Sequence, residues 1–130
     1  MILDSSVLVA IVLGEPGYQQ LLTRIKAGTG IAIGAPTLVE ALIVLAARLR
    51  GDPTLELKDL LRAIEAEVIP FTEDHGRAAL DAYLKFGKGR HRAALNFGDC
   101  FAYALARITG EPLLFKGDDF THTDVTPELR

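Results

Sequence analysis

One cysteine, Cys100, stands in the whole chain, inside an apolar run. An internal disulfide is therefore impossible, no thiolate cage for zinc can be built, and a reducing compartment is the expected setting. Long hydrophobic runs are missing too. The longest apolar runs are too short to cross a bilayer and are each interrupted by an acid. No basic segment precedes "MILDSS", which argues against a signal peptide. These absences make the cytoplasm the expected location, with no membrane attachment. An excess of positive charge is likewise lacking. The formal net charge of −3 excludes a protein that coats nucleic acid by bulk electrostatics, yet leaves room for a local basic patch. Fixed-period repeats, low-complexity tracts and long Gly/Ser linkers are absent, so residues 1–130 read as one domain with one core.

Several catalytic signatures fail. "GTGIAIG" loosely spaces Gly28, Gly30 and Gly34 like a dinucleotide fingerprint, but a helix precedes it and a strand follows, the reverse of the required order. There is no G-x-x-x-x-G-K-[ST] loop and no G-x-S-x-G elbow. His75, His91 and His122 show no i, i+4 pairing, so a histidine zinc site is set aside.

What is present is an alternation of short apolar strands and helices. "MIL" stops at Asp4-Ser5-Ser6, all good N-cap residues, before a second apolar run, which predicts strand, turn, helix. Leu21, Leu22 and Ile25 recur at helical spacing in "EPGYQQLLTRIKAG", with Gly28 as the stop. "IAIGAP" reads as a buried strand. Pro36 and Thr37 open a helix that Gly51 and Pro53 close. An amphipathic helix over "TLELKDLLRAIEAE", a strand at "VIPF" and a helix over "TEDHGRAALDAYLKF" follow, the last turning Ala78, Leu80 and Leu84 to the core. "FGDCFAYALARITG" is a helix, "PLLF" a strand, and "TDVT" a last strand. This order predicts an α/β fold whose mostly parallel sheet is covered on both faces. Such sheets bind ligands outside the carboxyl ends of their strands, where Asp4 and "KGDD" both fall.

Three apolar runs each carry a single charge: Asp4 in "MILDSSVLVAIVL", Glu40 in "LVEALIVLAA", and Asp99 in "FGDCFAYALA". Each has a plain structural explanation. Asp4 can cap the first helix, Thr37-x-x-Glu40 can form a capping box, and Asp99 suits a helix N-terminus. Jointly those explanations weaken. Burying an unpaired carboxylate costs several kcal/mol, roughly, and none of the runs supplies a Lys or Arg within a turn of its acid. A cation shared among the acids resolves every cost at once, whereas without one their repulsion raises their pKa values. An all-oxygen ligand set suits Mg²⁺ or Mn²⁺. Asp118 and Asp119 in "FKGDDF" supply a fourth candidate. They point in different directions, so one of them reaches the metal; ordinary loop composition explains the other.

From Ala82 to Gly98 there is no acid, and "KFGKGRHR" holds Lys85, Lys88, Arg90, His91 and Arg92, with Gly87 and Gly89 marking a flexible loop. A charge run is usually a solvated face. Its place just before the Asp99 helix suits a phosphodiester substrate: cations hold backbone phosphates while a metal works on one of them. Phe86 could stack on a base, although a core or loop-anchoring role fits it better.

"MILDSSVLVAIV", "PTLVEALIVL", "LNFGDCFAYALA" and "PLLFKGDDF" together resemble the sequential motifs of PIN-domain ribonucleases, and more closely the VapC-type toxins of prokaryotic toxin–antitoxin pairs. The resemblance covers essentially the whole chain. It implies a three-layer α/β/α sandwich with a central, mainly parallel sheet, and a Mg²⁺- or Mn²⁺-dependent endoribonuclease. By motif, Asp4, Glu40 and Asp99 match the core acids, and Asp119 best matches the acid after the late strand, with Asp118 as the adjacent alternative. Lys88, Arg90, His91 and Arg92 are the candidate RNA-binding residues. Some members carry a hydroxyl near the final motif, where this chain has Lys116-Gly117. The resemblance further implies a homodimer, silenced by a VapB-type antitoxin whose C-terminal segment fills the groove. An Arg of that antitoxin reaching the carboxylates would mimic the cation. Two other readings compete: a PIN-like module that only binds a partner, and another Mg²⁺-dependent phosphotransfer enzyme. The latter usually pairs acids after the first strand, where "LDSS" has one.

Overall fold

A computed structural model describes residues 1–129. In chain order it contains β1 (Ile2–Leu3), α1 (Ser5–Leu13), α2 (Tyr18–Ala27), β2 (Ala32–Gly34), α3 (Ala35–Leu49), α4 (Thr54–Ala63), β3 (Glu67–Ile69), α5 (Glu73–Phe86), α6 (Phe97–Thr109) and β4 (Leu113–Leu114). The strands form one parallel sheet in the order β3-β2-β1-β4, with Ile2 in register with both Ala32 and Leu113.

Side chains alternate across a strand, and here the alternation divides the core in two. Leu3, Ile33 and Leu114 face α1 to α4, whereas Ile2, Ala32 and Leu113 face α5 and α6. Both faces of the sheet are thus covered, as helical crossovers between parallel strands require. All six of those strand residues are buried, which accounts for unbroken apolar runs in place of an apolar/polar alternation.

Three local expectations need correction. Leu80 and Leu84 do not enter the core; they are 55 % and 49 % exposed. Helix α5 packs through Ala79, Ala82 and Phe86, a stripe whose small alanines allow close approach, and this leaves both leucines outside it. "TDVT" is not a strand. The tail touches β4 by a single bridge at Pro127, where Leu113 N donates to Thr126 O and Glu128 N donates to Leu113 O, and a proline has no N–H with which to extend a ladder. Finally, α3 begins earlier than Thr37. Gly34 is its N-cap, with no side-chain cap, so the Thr37/Glu40 capping box does not form. The same helix closes on Arg50 in the left-handed conformation (φ 54°), one residue before Gly51.

Candidate functional site

Strands β1 and β2 both end where a helix begins, and α6 starts beside them, so several chain segments deliver acids to one edge of the sheet. Asp4 follows β1 directly; its N–H donates to Leu114 O at 3.0 Å, which fixes it against the exit of β4. The residue is the N-cap of α1, only 3 % exposed, and its Oδ2 accepts from Ser6 N at 3.1 Å and from Ser6 Oγ at 2.6 Å. Ser6 Oγ in turn accepts from Lys116 N at 2.9 Å. With a lone pair taken by that N–H, the single hydroxyl proton is directed to Asp4. The other oxygen of Asp4, Oδ1, is buried without any hydrogen-bond partner.

Asp99 occupies a similar position on α6. Asn96 is the N-cap, and the two side chains form a reciprocal capping box: Asp99 N donates to Asn96 Oδ1 at 2.9 Å and Asn96 N to Asp99 Oδ2 at 3.0 Å. Asp99 is 6 % exposed. Glu40, by contrast, caps nothing. It projects from within α3, half-buried, and its Oε1 accepts from Ser5 Oγ at 2.6 Å. A Cβ placed on Gly98 would lie 1.8 Å from Glu40 Oε2. Only glycine at that position lets the Glu40 carboxylate lie against the start of α6, one residue from Asp99.

Burial, and secondarily the neighbouring charges, set the electrostatics of the two buried acids. Burial pushes Asp4 up to about 6 despite its bonds from Ser6, and the charge of Glu40 adds to the rise. Burial is also the main reason that Asp99 is pushed up to about 7; its bond from Asn96 opposes the rise, while Asp119, Asp4 and Glu40 increase it. Asp119 is exposed on the β4 exit loop and acts on Asp99. Its neighbour Asp118 uses its carbonyl oxygen to accept from Thr121 N at 3.0 Å. Among the described residues, none of the ion pairs involves any of these acids.

As the side chains stand, no group of three or more His, Cys, Asp or Glu among the described residues is close enough to enclose one ion. In this arrangement Glu40 is held on Ser5 and Asp99 on the backbone of Asn96. The donors nevertheless suit a hard divalent cation. They are carboxylate oxygens, and one of them, Asp4 Oδ1, is a buried acceptor with nothing to accept. Gly98, Ser5 and Ser6 were not singled out from sequence as parts of the site. For the serines the one available signal was their place directly after Asp4; for Gly98 it was a glycine next to an acid at a helix start.

The basic stretch is more ordered than a glycine-flanked loop suggests. Lys88 N donates to Leu95 O and Leu95 N to Phe86 O, both at 2.9 Å, and Gly89 takes a φ of +82° that disfavours any side chain. Arg90 Nε donates to Leu84 O at 3.2 Å, and its guanidinium sits 5.8 Å from the centre of the Tyr83 ring. His91 is half-buried; its Nδ1 accepts from Ala93 N at 3.0 Å and its ring meets Phe86 edge-on. Phe86 is 6 % exposed and belongs to the core. Lys88 and Arg92 are exposed.

A parallel sheet with acids gathered at its carboxyl edge is the arrangement of the PIN domain, and the model of that family matches residues 1–125. The chain belongs to the PIN-domain family. Relatives within the family include proteins named VapC ribonucleases. Ribonuclease VapC42 of Mycobacterium tuberculosis is 43% identical over 128 residues, covering 98% of each chain. Ribonuclease VapC36 of the same organism is 46% identical over 127 residues, covering 96% of this chain and 91% of the other. Among solved structures, M. tuberculosis VapC20, described as a Sarcin-Ricin loop cleaving toxin, superposes with a TM-score of 0.78 at 18% identity, covering 99% of this chain and 98% of that one. A toxin-antitoxin complex from Klebsiella pneumoniae gives a TM-score of 0.70 at 16% identity, with the same coverage. At those identities the two structures speak for the fold alone.

Proposed function

We propose that this protein is a divalent-metal-dependent endoribonuclease, the toxin of a toxin–antitoxin pair, and that Asp4, Glu40, Asp99 and Asp119 are its metal-binding and catalytic acids. The observation that carries the assignment is the unpartnered, buried Oδ1 of Asp4, with a second buried acid, Asp99, that feels the charges of Asp119, Asp4 and Glu40. A cation relieves all of that strain together. Mg²⁺ and Mn²⁺ are the ions of choice, because every donor is an oxygen.

Each residue then has a task. Ser6 holds Oδ2 of Asp4, which leaves Oδ1 as the oxygen offered to the ion. Ser5 and the bare Cα of Gly98 keep the Glu40 carboxylate at the start of α6. Asn96 fixes Asp99. Asp119 completes the set from the open side, where substrate would enter, and Asp118 is left to the turn. Lys88, Arg90, His91 and Arg92 are the proposed contacts to RNA phosphates. Arg90 and His91 are also tied into the fold of their own loop, so Lys88 and Arg92 are the freer of the four to reach a phosphate. Asp4, Glu40, Asp99 and Asp119 would hold the divalent ion, which would supply activation of water and neutralisation of charge on the phosphate. Hydrolysis of this kind leaves a 5′-phosphate and a 3′-hydroxyl.

The chain is proposed to work as one unit over residues 1–130, as a homodimer in the cytoplasm, and to be held silent by a VapB-type antitoxin. The relatives named VapC ribonucleases support a partner of that kind. Among the described residues no helix is long and apolar enough to cross a membrane, and the one cysteine, Cys100, is buried and unbridged. The deciding experiment measures cleavage of RNA by the wild type and by Asp99→Asn in Mg²⁺, in Mn²⁺ and in EDTA. Cleavage by the wild type with either metal, lost in EDTA and in the folded variant, is expected. Cleavage that survives EDTA, or a variant as active as the wild type, overturns the reading.

A further inference from the structure

Three polar or charged residues are buried among the described residues: Asp4, Asp99 and Thr37. The two acids cap helices. Thr37 caps nothing, because it lies inside the first turn of α3, whose N-cap is Gly34. Its Oγ1 is buried without a hydrogen-bond partner, and the other such side-chain atom among the described residues is Oδ1 of Asp4. The cause is local. A threonine hydroxyl inside a helix can donate to the carbonyl four residues back. Four residues before Thr37 stands Ile33, which is still in β2. The position itself is otherwise apolar, since Thr37, Ala41 and Leu45 form the buried stripe of α3. Valine would fill that position and leave nothing unpaired, so packing alone does not explain a hydroxyl there.

We propose that Thr37 is a positioning residue of the cation site, its hydroxyl holding a water of hydration of the divalent ion that Asp4 and Glu40 bind. The inference rests on the nuclease reading above and adds to it a hydrogen-bond donor, which the acids do not supply. Three observations favour it. First, Glu40 is three residues on from Thr37, so the two are neighbours on the surface of α3. Helical side chains lean toward the N-terminus of their helix, which carries both toward the edge of the sheet where the acids gather. Second, Ile2 is in register with Ala32, and continuing that pairing sets Asp4 beside Gly34, at a strand spacing of about 4.8 Å. Thr37 Oγ1 lies 3.8 Å from where a Cβ on Gly34 would stand. The two unpartnered atoms thus belong to adjacent strand exits. Third, their chemistry is complementary to a hydrated cation. An ionised Asp4 can only accept, a free hydroxyl can donate, and a magnesium-sized ion keeps several of its waters. One ion with one of its waters satisfies both atoms.

The test replaces Thr37 by valine, which keeps the branched shape and removes the hydroxyl, and by serine, which keeps the hydroxyl. Mn²⁺ binding to the full chain is measured by titration calorimetry with no RNA present, and thermal midpoints in EDTA by scanning calorimetry. Thr37→Val is expected to bind Mn²⁺ roughly 10-fold more weakly. It is also expected to melt higher than the wild type in EDTA, because a methyl group has replaced a lone buried hydroxyl. Thr37→Ser is expected to keep the affinity of the wild type, while the lost methyl lowers its midpoint. A hydroxyl that serves only the fold does not move affinity and stability in opposite directions. A Thr37→Val protein that binds Mn²⁺ as tightly as the wild type overturns the proposal and leaves the nuclease reading standing, because the acids then suffice. One that is less stable than the wild type in EDTA overturns it too, since the hydroxyl then has a partner within the fold. A wild type that binds no Mn²⁺ sinks the metal site itself, and this proposal with it.

Discussion

Asp4 and Asp99 differ from Glu40 and Asp119 in what the fold asks of them. Asp4 caps α1 and Asp99 closes the capping box of α6, so both are fastened to the backbone and buried. Glu40 sits inside a helix that glycine caps without help from any side chain, and Asp119 lies exposed on a loop. Neither of the latter does any work for the backbone. A carboxylate that caps a helix can be explained without chemistry; one that sits half-buried with its partner a serine hydroxyl and its neighbour a Cα hydrogen cannot. Beside the orphaned Oδ1 of Asp4, Glu40 thus gives a second structural argument for a functional site, and it is the acid for which sequence offered the most convincing alternative.

The comparison breaks most sharply under substitution. Replacing Asp4 or Asp99 by Asn is expected to reduce RNA cleavage by roughly 10³-fold or more, well beyond the 10- to 100-fold typical of residues that only support a metal ligand. The same two changes are expected to stabilise the metal-free protein at pH 8. Each removes a carboxylate that burial keeps from ionising easily, while the amide oxygen can still accept the capping bond. Glu40→Gln and Asp119→Asn should also lose activity, but with thermal midpoints close to that of the wild type. Differential scanning calorimetry beside a cleavage assay separates the two pairs. If all four variants behave alike in stability, the distinction between capping and non-capping acids is void.

Ser6→Ala probes the same contrast one step removed from the acids. It deletes the donor that directs Asp4 and the acceptor used by Lys116 N. A loss of Mn²⁺ affinity of roughly 10- to 100-fold is expected by titration calorimetry, with partial recovery in Ser6→Thr, which restores the hydroxyl. Unchanged affinity would mean that Asp4 is held well enough by the backbone alone.

The pH dependence of stability gives an effect of a few kcal/mol, and its sign is fixed. Asp4 rises from 3.8 to about 6 and Asp99 from 3.8 to about 7 on folding, so between about pH 4 and 7 the native state holds more protons than the unfolded one. Unfolding free energy then falls as pH rises. The stabilisation is complete below the unfolded pKa and is lost as pH climbs through the folded values. A shift of the size seen at Asp4 corresponds to at most about 3 kcal/mol. Urea unfolding of the metal-free protein at pH 4.5 and pH 8 measures it. Saturating Mn²⁺ should flatten the dependence, since a cation favours the ionised acids; a metal-free protein equally stable at both pH values would show that burial does not hold Asp4 and Asp99 protonated.

Much of this was legible in the chain. The strand-helix alternation, the parallel sheet and the helix starts after Asp4 and at Phe97 follow from periodicity and capping chemistry, which are local and therefore written in sequence. What was not legible is set by contacts between distant segments. The face that α5 turns inward depends on how closely alanines let α6 approach, so Leu80 and Leu84 were placed in a core they do not reach. The Thr37-x-x-Glu40 spacing mimics a capping box, yet the helix starts at Ala35 because β2 runs straight into it. Gly98 matters only because Glu40, remote in sequence, lies against it. Nothing in "NFGDC" announces that neighbour.

The basic loop supplies the smallest effect and the finest comparison, because its four candidates are not equally free. Arg90 is bound to Leu84 O and rests on Tyr83, and His91 is spent on Ala93 N and Phe86, while Lys88 and Arg92 are exposed. A cation that contacts an RNA phosphate releases counterions, and each such contact on a single strand contributes about 0.7 to the slope of log affinity against log salt. Lys88→Ala with Arg92→Ala is therefore expected to lower the slope by about 1.4, measured by anisotropy of a labelled RNA across a range of KCl. His91→Ala should leave the slope unchanged and instead loosen the loop, visible as faster amide exchange at Ala93. A slope that is the same in the double variant would turn this loop away from the substrate, and one that falls for His91→Ala as well would show that loop order, rather than charge at two positions, is what the RNA responds to.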